Sequence, residues 1–211
     1  MTIRVILADD HHMMLDALSS FLGNGKGIEV VGVTNDGRAV HELFASLQPD
    51  VVVMGVCMPG MNGIEATRRL VAEHPRAKVV ALSTFSQKQH VLEMLEVGAF
   101  AYVLKENPGS ELVDALHSVM KGQKYLCMDV VDLVVNHAGH NHSEIIPHLG
   151  PREREILQLL AEGGTSPVIA KRLFISASTV DVHRRNIMKK LDLHSVAELT
   201  KYAVRNGLTY V

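Results

Sequence analysis

The stretch SPVIAKRLFISASTVDVHRRNIMKKL, residues 166–191, decides the fold of the C-terminal part of the chain. It contains two segments whose apolar residues recur at helical spacing, and only residues 174–176 separate them. Ser166 is the predicted N-cap of the first helix, with Pro167 at its first position, and Ser176 is the predicted N-cap of the second. Two helices joined by so short a turn predict a helix-turn-helix over about residues 166–185.

The second of these helices has two different faces. Val180, Ile187 and Leu191 fall on one side of a helical wheel, which predicts that they face the core. The opposite side suits a DNA major groove, where Arg pairs with guanine and Val contacts the thymine methyl group. The candidate DNA-binding residues are Lys171, Arg172, Ser178, Thr179, Asp181, Val182, Arg185 and Lys189. The alternative is a solvated amphipathic helix in an all-α domain.

Two further cations of this stretch have predicted partners. Lys190, like Lys171 and Arg172, is expected to meet the phosphate backbone. Arg184 falls toward the core side of the wheel, so we expect its head group to pair with Glu153 or Glu155.

Residues 149–211 show only helical signals and are basic. Gly150, followed by Pro151 and Glu153, predicts a helix start, and Ser195 with Glu198 predicts a capping box, so four helices are expected. This segment holds 10 Lys and Arg against 6 Asp and Glu, a net charge of +4, whereas residues 1–148 carry −6. A basic module on an acidic body favours contact with phosphates; an ordinary uneven surface is the alternative.

Residues 149–208 resemble the LuxR-type helix-turn-helix domain in the motifs PRERE, AEG, IAKRLFIS, STVDVHRRNIMKKL and AEL. The resemblance implies binding of double-stranded DNA, with the third helix of the domain in the major groove. It also implies a homodimer formed through the last helix, residues 195–206. That helix carries an apolar stripe, and the predicted dimerisation residues are Val196, Leu199, Tyr202 and Ala203.

The first 122 residues alternate strand-length apolar runs with segments of helical period. The runs lie at residues 3–8, 30–33, 51–53, 79–82 and 102–104. Five such units predict an α/β domain with a doubly wound, five-stranded parallel sheet and helices on both faces. Ligands of such sheets bind beyond the carboxyl ends of the strands, so the residues that end each strand are the candidates for function.

Polar residues end three of the five predicted strands. Asp9 and Asp10 follow the first strand, Ser83 ends the fourth, and Lys105 follows Tyr102 at the end of the fifth. They resemble the acidic pair, the hydroxyl residue, the lysine and the aromatic residue of a response-regulator receiver domain, which implies a flavodoxin-like fold. Asp9 and Asp10 can hold Mg²⁺ through their oxygens. A loop of solvated acids is the alternative.

The third predicted strand departs from the receiver pattern. In PDVVVMGVCMPGMNG, residues 49–63, Gly55 occupies the position that the resemblance assigns to the phosphoacceptor Asp. Glycine offers no nucleophile and no carboxylate ligand. Asp50 begins the same strand, roughly 17 Å away at ~3.3 Å per residue, so it cannot substitute. Asp9 and Asp10 would be wrongly placed for in-line transfer.

Two explanations of Gly55 stay open. The chain is a regulator that works without phosphorylation, or it is a mutated or engineered form, since Asp to Gly needs one nucleotide change. Under either explanation we expect no cofactor to be required and Mg²⁺ binding at Asp9 and Asp10 to be weak. A sensor kinase is an expected partner only if the phosphorylation chemistry is restored.

Residues 123–148 are the predicted linker, within which residues 128–135 can form a short helix. Imidazoles cluster toward its end and can bind Zn²⁺ or Ni²⁺, with a possible sulfur ligand from Cys127; a polar tether is the alternative. The histidines concerned are His137, His140, His142 and His148. His11 and His12, which follow the acidic pair, are expected to be solvated loop residues; the alternative places them at the rim of the acidic pocket.

Over its whole length the chain resembles a NarL/FixJ-type response regulator, with a receiver at residues 1–122 and a DNA-binding domain at residues 149–211. We expect a transcription regulator rather than an enzyme, with RNA polymerase as a further candidate partner. The alternative is an adaptor that uses the receiver as a docking platform. The longest nearly apolar run, residues 51–61, is far shorter than the ~20 residues of a membrane helix. Two cysteines without a CxxC motif fit a reducing cytoplasm.

Overall fold

The computed structural model describes residues 2–24, 27–84, 88–106, 108–131, 149–206 and 208–209. They fall into two compact units, Met1–Asn141 and His142–Val211. The division lies inside the predicted linker, of which residues 132–148 lie outside the described residues. The predicted fold class, an α/β domain followed by an all-α domain, is confirmed.

The N-terminal unit is a parallel sheet with helices between its strands. Its strands are β1 (Ile3–Ala8), β2 (Ile28–Thr34), β3 (Val51–Gly55), β4 (Val79–Ser83), β5 (Ala101–Leu104) and β6 (Tyr125–Leu126). Its helices are α1 (His12–Gly23), α2 (Ala39–Leu47), α3 (Gly63–Glu73), α4 (Lys88–Glu96) and α5 (Pro108–Met120). The strand order is β2-β1-β3-β4-β5-β6, and each neighbouring pair is parallel.

β6 corrects the predicted strand number and the predicted start of the linker at residue 123. Leu126 pairs with Tyr102 of β5, and the Cys127 N–H donates to the Tyr102 carbonyl at 3.3 Å. The linker therefore cannot begin before this strand ends. A strand of two residues is too short to show a hydrophobic period. Residues 128–131 are helical, where the short linker helix is predicted to begin.

The sheet is buried on both faces by two separate apolar clusters. Along β1, Ile6 and Ala8 pack into one cluster, whereas Val5 and Leu7 pack into the other. The first cluster includes residues of α2, α3 and α4, and the second includes residues of α1 and α5. Burial on both faces explains why these strands read as continuous apolar runs rather than as alternating ones.

The topology brings the ends of β1 and β3 together. β2 lies on one side of β1 and β3 on the other, and Ala8 is in register with Met54. The residues that follow, Asp9 and Gly55, therefore lie side by side where the strand order reverses. This is the position at which doubly wound sheets bind ligands.

The C-terminal unit contains α6 (Pro151–Ala161), α7 (Ser166–Leu173), α8 (Ala177–Leu191) and α9 (Val196–Arg205). Each helix contributes fully buried aliphatic residues to one core, among them Ile156, Ile169, Val180, Ile187 and Leu199. The four predicted helices and the core face of α8 are confirmed.

The N-caps of these helices are the residues predicted from the sequence, with one correction. Ser176 Oγ accepts from the Thr179 N–H, and Ser195 with Glu198 forms the predicted capping box. At α7 the N-cap is Thr165 rather than Ser166, which is already helical. The Ser166 hydroxyl donates instead to the Asp181 carboxylate of α8, at 2.7 Å.

Candidate receiver pocket and nucleic-acid interface

The receiver pocket is built around a buried ion pair between Asp9 and Lys105. Lys105 Nζ lies 2.8 Å from Asp9 Oδ1 and 2.6 Å from Asp9 Oδ2, and the two side chains are only 5% and 2% exposed. β1 and β5 are not neighbours in the sheet, so this pair joins strand ends on either side of β3. Asp9 and Lys105, two residues of the predicted pocket, are therefore in direct contact.

Gly55 lies directly beside this pair. A Cβ atom at residue 55 would come 2.6 Å from Asp9 Oδ2 and 3.1 Å from the Ala8 carbonyl oxygen. The Asp9 carboxylate thus occupies the space into which any larger residue 55 would project. Asp50, at the start of β3, is engaged elsewhere, because its Oδ2 accepts from the Arg4 N–H at 2.8 Å.

Ser83 and Tyr102 lie beside each other on β4 and β5. Ser83 is buried, the Tyr102 side chain is fully buried, and the two share a hydrogen bond. Burial raises the pKa of the Tyr102 phenol far above its usual value of 10.0. Tyr102 is therefore a neutral, inward-facing group here, fixed by packing and by Ser83.

His11 borders the pocket, which is the alternative to the expected solvated loop position, and its side chain remains 53% exposed. Its Nδ1 lies 2.7 Å from Asp10 Oδ1 and 3.2 Å from Asp9 Oδ1. Among the described residues these three side chains form a group of metal-ligating type. The signal available in the sequence was adjacency alone, because His11 directly follows the acidic pair.

The pocket fits Mg²⁺ incompletely. Both Asp9 oxygens lie within 2.8 Å of the Lys105 ammonium, which stands where a cation would approach them. Asp10 is less engaged with Lys105, at 3.9 Å, and residue 55 supplies no third carboxylate. Mg²⁺ needs several oxygen ligands in nearly octahedral positions, so this arrangement is not a complete site.

The exposed face of α8 presents the predicted DNA-facing row. Ser178, Val182, Arg185 and Lys189 are exposed, and Val182 is 45% exposed despite its apolar side chain. Thr179 is half-buried, because its hydroxyl lies 2.8 Å from Ser176 Oγ at the N-cap. Lys171 and Arg172 of α7 are exposed as well.

One predicted partner in this unit is wrong, and another residue has a partner that was not predicted. Lys190, whose side chain is 46% exposed, places its Nζ 2.7 Å from Glu153 Oε2 on α6, and its contact with phosphate stays a prediction. Arg184 pairs with Asp181 at 3.3 Å instead of with Glu153 or Glu155. Glu155 is taken by Arg152, whose Nη1 donates to it at 2.8 Å.

The predicted dimerisation stripe on α9 is also corrected. Leu199 and Ala203 are fully buried in the core of their own domain, and Tyr202 packs partly against that core. Val196 is 45% exposed. Leu199 and Ala203 are therefore unavailable to a partner subunit while the domain is folded.

The residues of the predicted histidine cluster, His137, His140, His142 and His148, lie outside the described residues. Cys127 is buried in the receiver core, where burial raises the pKa of its thiol. Within the described ranges, the chain contains no helix that is long and apolar enough to cross a membrane.

Comparisons with known proteins agree with this architecture. The family described as Response regulator receiver domain matches residues 5–117, and the family described as Bacterial regulatory proteins, luxR family, matches residues 147–203. The chain is 39% identical to the transcriptional regulatory protein LiaR of Bacillus subtilis, over 98% of this chain and 99% of that protein.

Solved structures give the same picture. RcsB of Salmonella enterica serovar Typhimurium, bound to a promoter in the presence of the phosphomimetic BeF3⁻, is 26% identical with a TM-score of 0.62, covering 96% of this chain and 98% of that chain. A structure of two RcsB dimers bound to two parallel DNAs is 27% identical with a TM-score of 0.60, with the same coverage. The chain therefore belongs to the NarL/FixJ-type response regulators, DNA-binding transcriptional regulators in which a receiver domain precedes a LuxR-type helix-turn-helix domain.

Proposed function

We propose that this chain regulates transcription by binding DNA without phosphorylation of its receiver domain. The observation that carries the proposal is Gly55, at the end of β3, with the Asp9 carboxylate 2.6 Å from the position of its missing Cβ. A phosphoryl donor would meet no nucleophilic side chain at residue 55, and nucleophilic catalysis requires one within reach.

The rest of the pocket supports the same proposal. Lys105, the residue expected to contact a phosphoryl group, is already paired with Asp9. Ser83 and Tyr102 already share a hydrogen bond in the interior. DNA affinity is then set by the resting equilibrium of the domain, by protein concentration, or by another ligand that prefers one state. Any Mg²⁺ bound at Asp9 and Asp10 is held weakly.

For the DNA-bound form we propose a symmetric homodimer on two half-sites. Helix-turn-helix dimers read half-sites about one helical turn apart, and RcsB, a structural relative, binds DNA as dimers. Val196, exposed on α9, is the member of the predicted stripe that is available for the contact. The chain would act on its DNA in the cytoplasm, with RNA polymerase as the partner through which a promoter-bound regulator works.

The test is intact-mass spectrometry after incubation with acetyl phosphate and Mg²⁺, combined with a mobility-shift assay. We expect no adduct on the unchanged chain and no change in DNA affinity. Gly55→Asp restores the carboxylate, and we expect a phosphoryl adduct of about 80 Da on that variant alone. Asp9 must turn aside for it, and the Ala8 carbonyl oxygen, 3.1 Å from the added Cβ, must shift slightly.

Gly55→Ala is the matched control, because it adds the same Cβ without a carboxylate. It should displace Asp9 and remain unmodified. An adduct on the unchanged chain that maps to Asp9 or Asp10 would disprove phosphorylation independence, and it would leave the DNA-binding assignment intact.

A further inference from the structure

Asp181 is a negative charge that flanks the DNA-facing row of α8. It lies one turn from Ser178 and one turn from Arg185, whose Nε lies 3.4 Å from the Asp181 carbonyl oxygen. A carboxylate on a surface that meets phosphates is repelled by them, which lowers affinity for every DNA sequence. A carboxylate at this position is therefore expected to have a function that offsets the lost affinity.

Neighbouring residues fix the position of this carboxylate. Ser166, on α7, donates its hydroxyl hydrogen to Asp181 Oδ1 at 2.7 Å, and Arg184 lies 3.3 Å from the same oxygen. The Asp181 side chain nevertheless remains 41% exposed. An acceptor that is held from the adjacent helix and still open to solvent is preorganised for a partner outside the chain.

The chemistry of the major groove decides which partner fits. A carboxylate only accepts hydrogen bonds, and cytosine presents its N4 amino group as a donor there. Guanine presents two acceptors, O6 and N7, which a carboxylate repels. We infer that Asp181 is a specificity-determining residue that selects cytosine and excludes guanine at one position of each half-site. The inference rests on the proposed DNA binding and names a determinant within it.

The experiment is selection of bound fragments from a random DNA pool by the full-length chain, followed by affinity measurements on the enriched sequence and its single-base variants. With the unchanged chain we expect a cytosine whose replacement by guanine lowers affinity about 5- to 150-fold. With Asp181→Asn we expect adenine instead, since an amide pairs with the N6 and N7 edge of adenine. Affinity for unrelated DNA should rise roughly two- to threefold, because a repulsive charge is gone.

Asp192→Asn is the matched control. It removes the same charge at the C-cap of the same helix, where the Asp192 side chain is 97% exposed, and Asn tolerates the left-handed conformation of that residue, with φ of 52°. It should leave base preference unchanged. Ser166→Ala keeps the carboxylate but removes its anchor, so discrimination against guanine should weaken while cytosine remains preferred.

The outcomes separate the two proposals. If the unchanged chain enriches a sequence and Asp181→Asn enriches the same one, Asp181 only joins α7 to α8, and the inference is overturned while DNA binding stands. If the unchanged chain enriches no sequence, both fail. Retained binding of unrelated DNA by each variant shows that the domain is still folded.

Discussion

Removing the charge of Asp9 should destabilise the receiver strongly, and removing the charge of Lys105 as well should restore most of the loss. In Asp9→Asn the amide keeps the shape of the side chain, and its oxygen can still accept from the His11 N–H, which donates at 2.9 Å. What the variant loses is the negative charge beside a lysine whose side chain is 5% exposed.

The magnitude follows from the burial of the pair. Breaking a buried ion pair by removing one partner costs about 3–5 kcal/mol, because the other charge stays buried without compensation. Asp10 lies 3.9 Å from Lys105 Nζ and compensates it in part, so we expect the lower end, ~3 kcal/mol. Replacing both charged partners by neutral groups of similar volume is often neutral or stabilising, so Asp9→Asn with Lys105→Met should lie near the unchanged chain.

The assay is native-state hydrogen exchange of the full-length chain, read at the amides of β1 and β5, with urea unfolding followed by circular dichroism. Exchange at these amides assigns the change in stability to the receiver, because the amides of the C-terminal domain serve as an internal reference. If each single variant costs less than about 1 kcal/mol, as an exposed pair would, or if the two losses add in the double variant, the ion pair does not stabilise the receiver in the way described.

Three further predictions concern the C-terminal domain. Arg185→Ala should lower the free energy of DNA binding by ~1–3 kcal/mol and relax the preference at one base position. Lys189→Ala should weaken binding to all DNA sequences alike. Equal effects of the two variants on every sequence would contradict this division. Val196→Asp should weaken dimerisation on DNA without unfolding the domain, and sedimentation with a two-half-site duplex would show it; an unchanged dimer would exclude Val196 from the interface. Burial raises the pKa of Glu153, but hydrogen bonds from Lys190 and from the Gly150 N–H lower it to a net value below 4.5. Its stabilisation is thus present above the pKa of the unfolded chain and lost as pH falls through the lower folded pKa. Glu153→Gln should flatten that acid dependence in pH-dependent hydrogen exchange of α6, and an unchanged slope would contradict it.

Local patterns were sufficient to predict the receiver sheet and most helix starts. Apolar runs such as 3–8 and 79–82 became buried parallel strands, because burial on both faces leaves little room for polar residues. Ser176 and Ser195 cap their helices as predicted, since capping depends on a few adjacent residues. β6 was missed because its two residues pair through a contact with β5 that no short-range pattern records.

The errors in the candidate sites arise from contacts between helices. A helical wheel shows that Leu199 and Ala203 share a stripe, but it does not say whether that stripe meets the same domain or another subunit; here it meets α6. Likewise, Lys190 reaches Glu153 across 37 residues of sequence, and no spacing rule within α8 predicts that pair.

The order of the strands has a consequence for how the receiver is assembled during synthesis. β1 is made first, and in the folded sheet β2 lies on one of its edges and β3 on the other. From that point, β4, β5 and β6 each add to the edge formed by the strand made just before them. Domains generally fold as units, with N-terminal ones first as the chain emerges. From β3 onward the strand order is thus compatible with addition in the direction of translation, since no later strand has to be inserted between two earlier ones.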